Sequence, residues 1–146
     1  MKDDSGLRVI EAYWPAFDAR DASVMHEIAH DDLVTEWPQS GERIVGRENC
    51  LVVLRNYPGG GPIRTPGRTL GCGDVWITES TLDYPGGQRT HFVTVFELRD
   101  GKLARLTEYF ADPFQPPEWR LQLVDAGLQS GATHMLDGIA RAKAED

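Results

Sequence analysis

Gln88–Phe114, with the sequence QRTHFVTVFELRDGKLARLTEYFADPF, contains two long runs of strand-forming residues. The runs are Arg89–Leu98 and Leu103–Phe110, and the short turn between them offers Gly101 for a positive φ angle. A two-stranded hairpin buries too little surface to be stable alone, so further strands and a helical cover must come from the rest of the chain. The segment therefore predicts a β-hairpin that forms part of a larger sheet.

Composition limits the classes of partner. The chain has 146 residues, the length of a single domain, and a formal net charge of -8. This charge argues against nucleic acid or an anionic membrane as a partner, because both are bound chiefly through lysine and arginine. No apolar run has the length of a membrane span, and the first residues do not resemble a signal peptide, so we expect a cytoplasmic location. Cys50 and Cys72 form neither a disulfide framework nor a metal motif.

The remaining elements are predicted from hydrophobic periodicity. Helices are expected at about residues 5–18, 22–30 and 47–56, and further strands at about 33–37, 43–45 and 72–82. The Gly- and Pro-rich residues 57–71 are predicted to be a loop at the rim of a pocket. After a proline-rich arm at 113–120 we expect a weak helix to about residue 126 and a last helix at 134–143. The pattern predicts an α+β fold, with a curved antiparallel sheet wrapped around the N-terminal helices.

Three sequence segments together resemble a known superfamily. GKLARLTEYFADPF after VFELRD, ARDASVM after the first helix, and AHDDLVTEWP are similar to the nuclear-transport-factor-two-like superfamily, in its SnoaL-like branch. The resemblance implies a cone-shaped, cystatin-like roll over residues 1–120, followed by a helical or polar extension over 121–146. It also implies several possible activities, since the superfamily includes polyketide cyclases, ketosteroid isomerases, limonene-epoxide hydrolases and members that only bind or scaffold.

Strand alternation predicts which side chains line a cavity. The uncharged, more aromatic register of the first hairpin strand is assigned to the inside, together with one face of the second strand. A tight turn centred on Pro85-Gly86 would set Glu79 opposite Phe92 and so place it inside as well. The residues predicted to contact a substrate are Trp37, Thr90, Phe92, Thr94, Phe96, Leu106 and Phe110.

Glu108 and Glu79 are the predicted acid–base pair. Burial raises the pKa of a carboxyl and a neighbouring carboxylate raises one of the two further, so one can hold a proton while the other is ionised. The resemblance to epoxide hydrolases implies catalytic carboxyls at these two positions, although their intervening arginine has no counterpart here. The resemblance to ketosteroid isomerases implies that Tyr13 is an oxyanion donor. It also shows that Trp37 replaces their catalytic aspartate.

Two surface features are interpreted separately. His91, Val93, Val95 and Tyr109 are predicted to lie on the outer sheet face, where they would form a homodimer contact. His26–His30 matches the H-E-x-x-H zinc signature, but both histidines are expected to point away from the apolar helix face and no third ligand is evident. We therefore predict no metal site and no cofactor.

Two classes of function follow from these residues. The first is an enzyme of hydrolase, isomerase or cyclase type that uses Glu108, Glu79 and Tyr13 on a small, mostly apolar molecule. The alternative is a ligand-binding or scaffold protein with the same cavity and no chemistry. The sequence identifies no particular substrate.

Overall fold

The structure, a computed structural model, describes residues 3–125, and that range contains three α-helices and six strands. The helices are α1 (Ser5–Ala19), α2 (Ala22–Ile28) and α3 (Arg47–Arg55). The strands are β1 (Ala29–Trp37), β2 (Glu42–Val45), β3 (Ile63–Cys72), β4 (Val75–Asp83), β5 (Arg89–Arg99) and β6 (Lys102–Ala111). The helix predicted at 134–143 lies outside the described residues.

The chain divides into two units, Met1–Ala111 and Asp112–Asp146. The three α-helices and all six strands belong to the first unit. The described part of the second has a 3-10 turn at Glu118–Leu123, where the sequence predicted a weak helix. The domain boundary expected at residue 120 stays a prediction, because most of the chain beyond it is outside the described range.

The six strands form one mixed sheet in the order β2-β1-β6-β5-β4-β3. Neighbouring strands pair antiparallel except β1 and β6, which are parallel. A parallel pair needs a long crossover connection, and here the whole segment between β1 and β6 supplies it. The predicted α+β fold with a curved sheet is confirmed, but the sheet is not wholly antiparallel as expected, because strand direction depends on these long-range pairings.

The predicted hairpin of β5 and β6 is confirmed. The strands pair from His91 opposite Ala111 to Arg99 opposite Lys102. Asp100 and Gly101 between them have φ angles of 51° and 76°, the positive values that a two-residue hairpin turn requires. The inward register of β5 is also confirmed, since alternate side chains are buried: Thr90, Phe92, Thr94, Phe96 and Leu98.

Helix α1 covers the inner face of this hairpin. Tyr13 and Trp14 are buried, and the Trp14 ring meets Phe92 and Phe96 edge-on at centroid distances of 6.1 and 5.6 Å. Burying side chains of this size stabilises the fold by about 1.5–3 kcal/mol each. The helix ends at Ala19, and the C-cap residue Arg20 has its backbone in the left-handed region with φ 56° and donates its N–H to carbonyls of the last turn.

Strand β3 replaces most of the loop predicted at residues 57–71. It forms an edge of the sheet and is exposed along nearly its whole length, so its sequence lacks the alternation of a half-buried strand. Pro66 is tolerated because an edge strand has no outer neighbour to bond, and the pairing register shifts between Pro66 and Thr69. The loop prediction was therefore wrong for this stretch, because an edge strand carries little hydrophobic signal.

The register between β4 and β5 differs by one residue from the predicted one. Tyr84 and Gln88 close a wider turn, in which the Tyr84 N–H donates to the Gln88 carbonyl at 2.9 Å. Ser80 therefore lies opposite Phe92, and Glu79 lies opposite Val93. Since side chains alternate between sheet faces, the one-residue change moves Glu79 to the outer face.

Candidate active site

A pocket opens in the first unit between the inner sheet face and the ends of α1 and α3. It contains about 620 Å³ of space free of atoms, counting the part open to solvent. Its walls are mostly apolar and aromatic, as in typical small-molecule sites. The lining residues are Phe17, Arg20, Thr35, Trp37, Ile44, Cys50, Val53, Leu54, Tyr57, Pro62, Leu82, Tyr84, Phe92, Glu108 and Phe110.

Glu108 is the acidic residue of this lining. Alternation along β6 places its side chain on the inner face, opposite Thr94 of β5, and leaves it only 6% exposed. Burial raises the pKa of Glu108 to about 7, and a hydrogen bond from Trp37 partly opposes that rise. A carboxyl with a pKa near neutral can both accept and return a proton at physiological pH.

Trp37 holds one oxygen of this carboxyl. Its indole Nε1–H donates to Oε2 of Glu108 at 2.7 Å, and its ring meets Phe110 edge-on at 5.9 Å. The contact exists because the end of β1 lies beside β6 in the parallel pair. The sequence predicted Trp37 only as a wall residue. Its indole N–H could have indicated the hydrogen bond, because a buried tryptophan N–H usually has an acceptor.

Glu79 does not belong to the pocket. Its side chain is 46% exposed on the outer face and forms two hydrogen bonds with the Arg68 guanidinium, at 2.7 and 3.0 Å. The same guanidinium lowers the pKa of Glu79 below its ordinary value. The predicted pair of carboxyls inside one cavity was therefore wrong, because the inferred turn was one residue out of register.

Tyr13 lies in the core and not in the pocket lining. It is 3% exposed, with its ring edge-on to Trp14 and Phe96 at 4.9 and 5.1 Å. Burial, and secondarily the charge of Glu108, raises the pKa of Tyr13 well above its ordinary value, so the phenol stays protonated. Its predicted role as an oxyanion donor stays a prediction.

Comparison with known proteins assigns the family. Residues 10–106 match the model of the SnoaL-like domain, which covers more than half of the chain. The chain belongs to the SnoaL-like family. This confirms the resemblance seen in the sequence, and the SnoaL-like fold agrees with the mixed, curved sheet of the structure.

Solved structures similar to this SnoaL-like chain have different descriptions. A nuclear-transport-factor-two-like protein of unknown function from Burkholderia xenovorans is 38% identical, with 86% of this chain and 97% of that chain aligned at a TM-score of 0.76. A provisionally assigned ketosteroid isomerase from Kribbella flavida is 25% identical, covering 89% and 94% at a TM-score of 0.79. An epoxide hydrolase from M. tuberculosis is 28% identical, covering 74% and 84% at a TM-score of 0.59. A search of curated proteins found no match.

The predicted wall residues separate into two groups. Trp37, Phe92 and Phe110 line the pocket, and the rings of Phe92 and Phe110 stack at 5.0 Å. The structure places the other four in the core of the SnoaL-like unit, outside the pocket lining: Thr90, Thr94, Phe96 and Leu106. They are buried as predicted, but Tyr13 and Trp14 of α1 pack against Phe96, and none of the four contributes to the pocket lining.

Sequence reasoning missed the side of the pocket formed by the ends of α1 and α3. Arg20 and Phe17 come from the end of α1, and Cys50 and Leu54 from α3. The apolar spacing of α3 predicts a helix, but it does not show that side chains of this helix and of the end of α1 line one pocket. Burial raises the pKa of the Cys50 thiol, so this cysteine is not an activated nucleophile.

The H-E-x-x-H match does not form a helical zinc site. Helix α2 ends at Ile28, so His30 belongs to β1, and its Nε2 contacts the Arg99 carbonyl oxygen at 2.6 Å. His26 contacts Glu48 at 2.6 Å. Within residues 3–125, no group of three or more metal-ligating side chains is arranged to hold an ion. The helix predicted to reach His30 was two residues too long.

The outer sheet face carries the residues predicted for dimer formation. His91, Val93 and Val95 are half-buried and Tyr109 is exposed. The homodimer stays a prediction. In the described part of the chain no helix has the length and apolar character needed to span a bilayer.

Proposed function

We propose that this SnoaL-like protein is a cofactor-independent acid–base enzyme. It moves a proton on a small, mostly apolar carbonyl compound, as isomerases and cyclases do, and Glu108 is the base. The observation that supports this is a buried carboxyl with a pKa of about 7 in the wall of an apolar pocket. Perturbed carboxyls in clefts are characteristic of acid–base sites.

The proposed step needs one carboxyl. Ionised Glu108 removes the proton from a carbon next to the substrate carbonyl, and the C–H electron pair moves into an enolate. Protonated Glu108 then returns the proton to the same carbon or to a conjugated one, so the enzyme is regenerated and nothing else is consumed. Trp37 holds Oε2, and Oε1 has no hydrogen-bond partner among the described residues, which leaves Oε1 for the transferred proton.

Hydrolysis is a weaker fit to this site. Opening an epoxide requires a base for the attacking water and an acid for the epoxide oxygen. The predicted pair of Glu108 and Glu79 would have supplied both. Glu79 is on the opposite sheet face and bound to Arg68. The pocket lining thus has a single carboxyl, which suits a proton that leaves and returns through one group.

The test is proton exchange on a panel of small aryl and cyclic ketones in heavy water, followed by NMR. The protein should accelerate exchange of the protons next to the carbonyl for at least one ketone. Glu108→Gln should lower that rate by about a hundredfold or more, the usual contribution of a positioned base. Glu79→Gln is the matched control, because it removes a carboxyl from the outer face, and it should leave the rate unchanged.

Two other results would change the conclusion. Full exchange activity in Glu108→Gln would remove Glu108 from the mechanism. Saturable binding of the ketones without any exchange would favour the alternative of a ligand-binding protein with no chemistry. The role predicted for Tyr13 is tested in the same assay by Tyr13→Phe, which should slow exchange if its hydroxyl stabilises the enolate.

A further inference from the structure

Arg20 is the basic residue of the pocket lining. It follows α1 directly, and its guanidinium lies over the Phe17 ring, with Cζ 5.2 Å from the ring centroid. The remaining lining is apolar, aromatic or uncharged apart from Glu108. A half-buried cation beside apolar walls gives the pocket one electrostatically distinct end.

The Arg20 guanidinium has N–H donors that form no hydrogen bond within the described part of the protein. Nη1 donates to the Phe17 carbonyl at 2.8 Å and Nη2 to the Gly60 carbonyl at 3.1 Å. An arginine has about five N–H groups, so roughly three remain uncommitted. Among residues 3–125, Arg20 forms no ion pair with a carboxylate, in contrast to Arg64 and Arg68.

Arg20 and Glu108 are also not partners of each other. They form no salt bridge, and the pKa of Glu108 is set by burial and by Trp37 without a contribution from Arg20. The cation therefore does not serve to neutralise the proposed base. Its positive charge is therefore available to an anionic group of a ligand in the pocket.

We propose that Arg20 binds the carboxylate of the ligand, so that the substrate is a monocarboxylate with an apolar body. Guanidinium and carboxylate are matched in geometry and charge, and such bonds are about twice as strong as neutral ones. A phosphate ester fits less well, because it carries about two charges and the lining offers one cation. This inference rests on the proposed function, which places the carbon that loses its proton at Glu108. It adds that the carboxylate of the same substrate lies at Arg20.

A structural role for Arg20 has to be separated from this one. The bond to the Phe17 carbonyl fixes the guanidinium at the end of α1, and the bond to the Gly60 carbonyl links it to the segment after α3, so losing them would loosen the pocket for any ligand. A loss of rigidity weakens charged and neutral ligands alike, whereas loss of a carboxylate site weakens only the charged ones. The ratio of the two affinities is therefore the decisive quantity.

The experiment measures dissociation constants by calorimetry for phenylalkanoates of three to six chain carbons and for the alcohols of the same length. Wild type should bind at least one carboxylate about tenfold more tightly than its alcohol. Arg20→Gln should abolish that preference, and Arg20→Lys should keep part of it. Arg55→Gln is the charge-matched control, because Arg55 is exposed on α3 outside the lining, and it should keep the full preference.

The outcomes distinguish this inference from the proposed function. If no carboxylate binds more tightly than its alcohol, or if Arg20→Gln retains the preference, the assignment of Arg20 is wrong, although alcohols that bind would still mark a ligand pocket. Failure of ketone exchange with intact carboxylate preference would instead overturn the chemistry and leave Arg20 as a binding residue. Thermal melting of each variant identifies any that does not fold, and Arg20→Lys then supplies the comparison.

Discussion

The indole nitrogen of Trp37 and the carboxyl of Glu108, 71 positions apart in the chain, form a 2.7 Å hydrogen bond in the wall of an apolar pocket. The bond lowers the pKa of Glu108 against the larger effect of burial, which raises it to about 7. Trp37 is therefore a positioning residue that acts through Glu108. It keeps the base partly ionised at neutral pH and fixes which oxygen faces the pocket.

Replacing Trp37 by Phe should raise the pKa of Glu108 further. The change removes the N–H that stabilises the ionised form and keeps an aromatic ring in place. A carbon-13 NMR titration of the Glu108 carboxyl should show a midpoint near 7 in the wild type. In the variant it should show a higher one, and the pH profile of ketone exchange should move in the same direction. Phe110→Leu alters the wall and keeps the donor, so its carboxyl midpoint should stay near the wild-type value. An unchanged midpoint in Trp37→Phe would show that the hydrogen bond does not tune the base.

Local patterns were sufficient to predict the hairpin and the inward position of Glu108. β5 alternates between buried and less buried side chains along its whole length, and Leu106 and Glu108 continue this alternation on β6 beyond a register shift near Leu98. Periodicity therefore assigns Phe92 and Glu108 to the inside. The turn at Asp100–Gly101 is predictable because Asp and Gly are residues that adopt positive φ angles in hairpin turns. In these elements the local sequence and the tertiary structure favour the same arrangement.

Features set by long-range geometry could not be predicted in this way. The position of Glu79 depended on whether the β4–β5 turn closes at Gly87 or at Gln88, and either choice fits the same turn residues. The Trp37–Glu108 bond requires the parallel β1–β6 pair, which no local pattern encodes. Arg20 reaches the pocket because of the left-handed turn that ends α1, a conformation uncommon for a residue other than glycine.

The predicted homodimer should be sensitive to a charge on the outer sheet face. Val93 and Tyr109 are paired neighbours there, beside Ile77 and Val95, and no described helix covers them. Val93→Asp should convert a dimer into a monomer in sedimentation velocity, because a buried unpaired carboxylate is costly at an interface. Ser40→Asp, in an exposed turn, adds the same charge elsewhere and should leave the dimer intact. A wild type that sediments as a monomer at all concentrations would refute the dimer.

Packing of α1 against the sheet should be sensitive to one added methyl group. Gly6 is buried where α1 meets Trp76, and a Cβ there would lie 2.7 Å from the Gly73 carbonyl oxygen and closer still to the Trp76 indole nitrogen. Gly6→Ala should therefore lower the free energy of unfolding by about 1–3 kcal/mol, as overpacking does, despite the better helix propensity of alanine. Urea denaturation measures the change. Glu11→Ala, on the exposed side of the same helix, should change the free energy of unfolding by less than about 0.5 kcal/mol. A stabilised Gly6→Ala variant would show that α1 can shift to make room.

Burial of Glu108 should make the protein less stable as pH rises. The folded-state pKa is raised from 4.5 to about 7, so between these values the folded protein holds a proton that the unfolded chain has released. The stability contribution of the protonated carboxyl is complete below about pH 4.5 and is lost as pH rises through about 7. Glu108→Gln mimics the neutral form and has no such dependence. Relative to this variant, wild type should lose about 3 kcal/mol of unfolding free energy over that window.

The comparison with Glu108→Gln isolates this one group. Exposed carboxylates with lowered pKa values, including those of Asp32 and Asp83, favour folding as pH rises, but they are present in both proteins and cancel in the difference. Urea denaturation from pH 4 to pH 8 gives the two curves, and they should diverge above about pH 5. Glu79→Gln is the second control, because the pKa of Glu79 is lowered and not raised: its pH-dependent contribution falls below about pH 4.5, so this variant and wild type should run parallel from about pH 5 to pH 8. Parallel curves for wild type and Glu108→Gln would mean that the carboxyl ionises as easily in the folded protein as in water. The base proposed here would then lack the proton affinity that its chemistry needs.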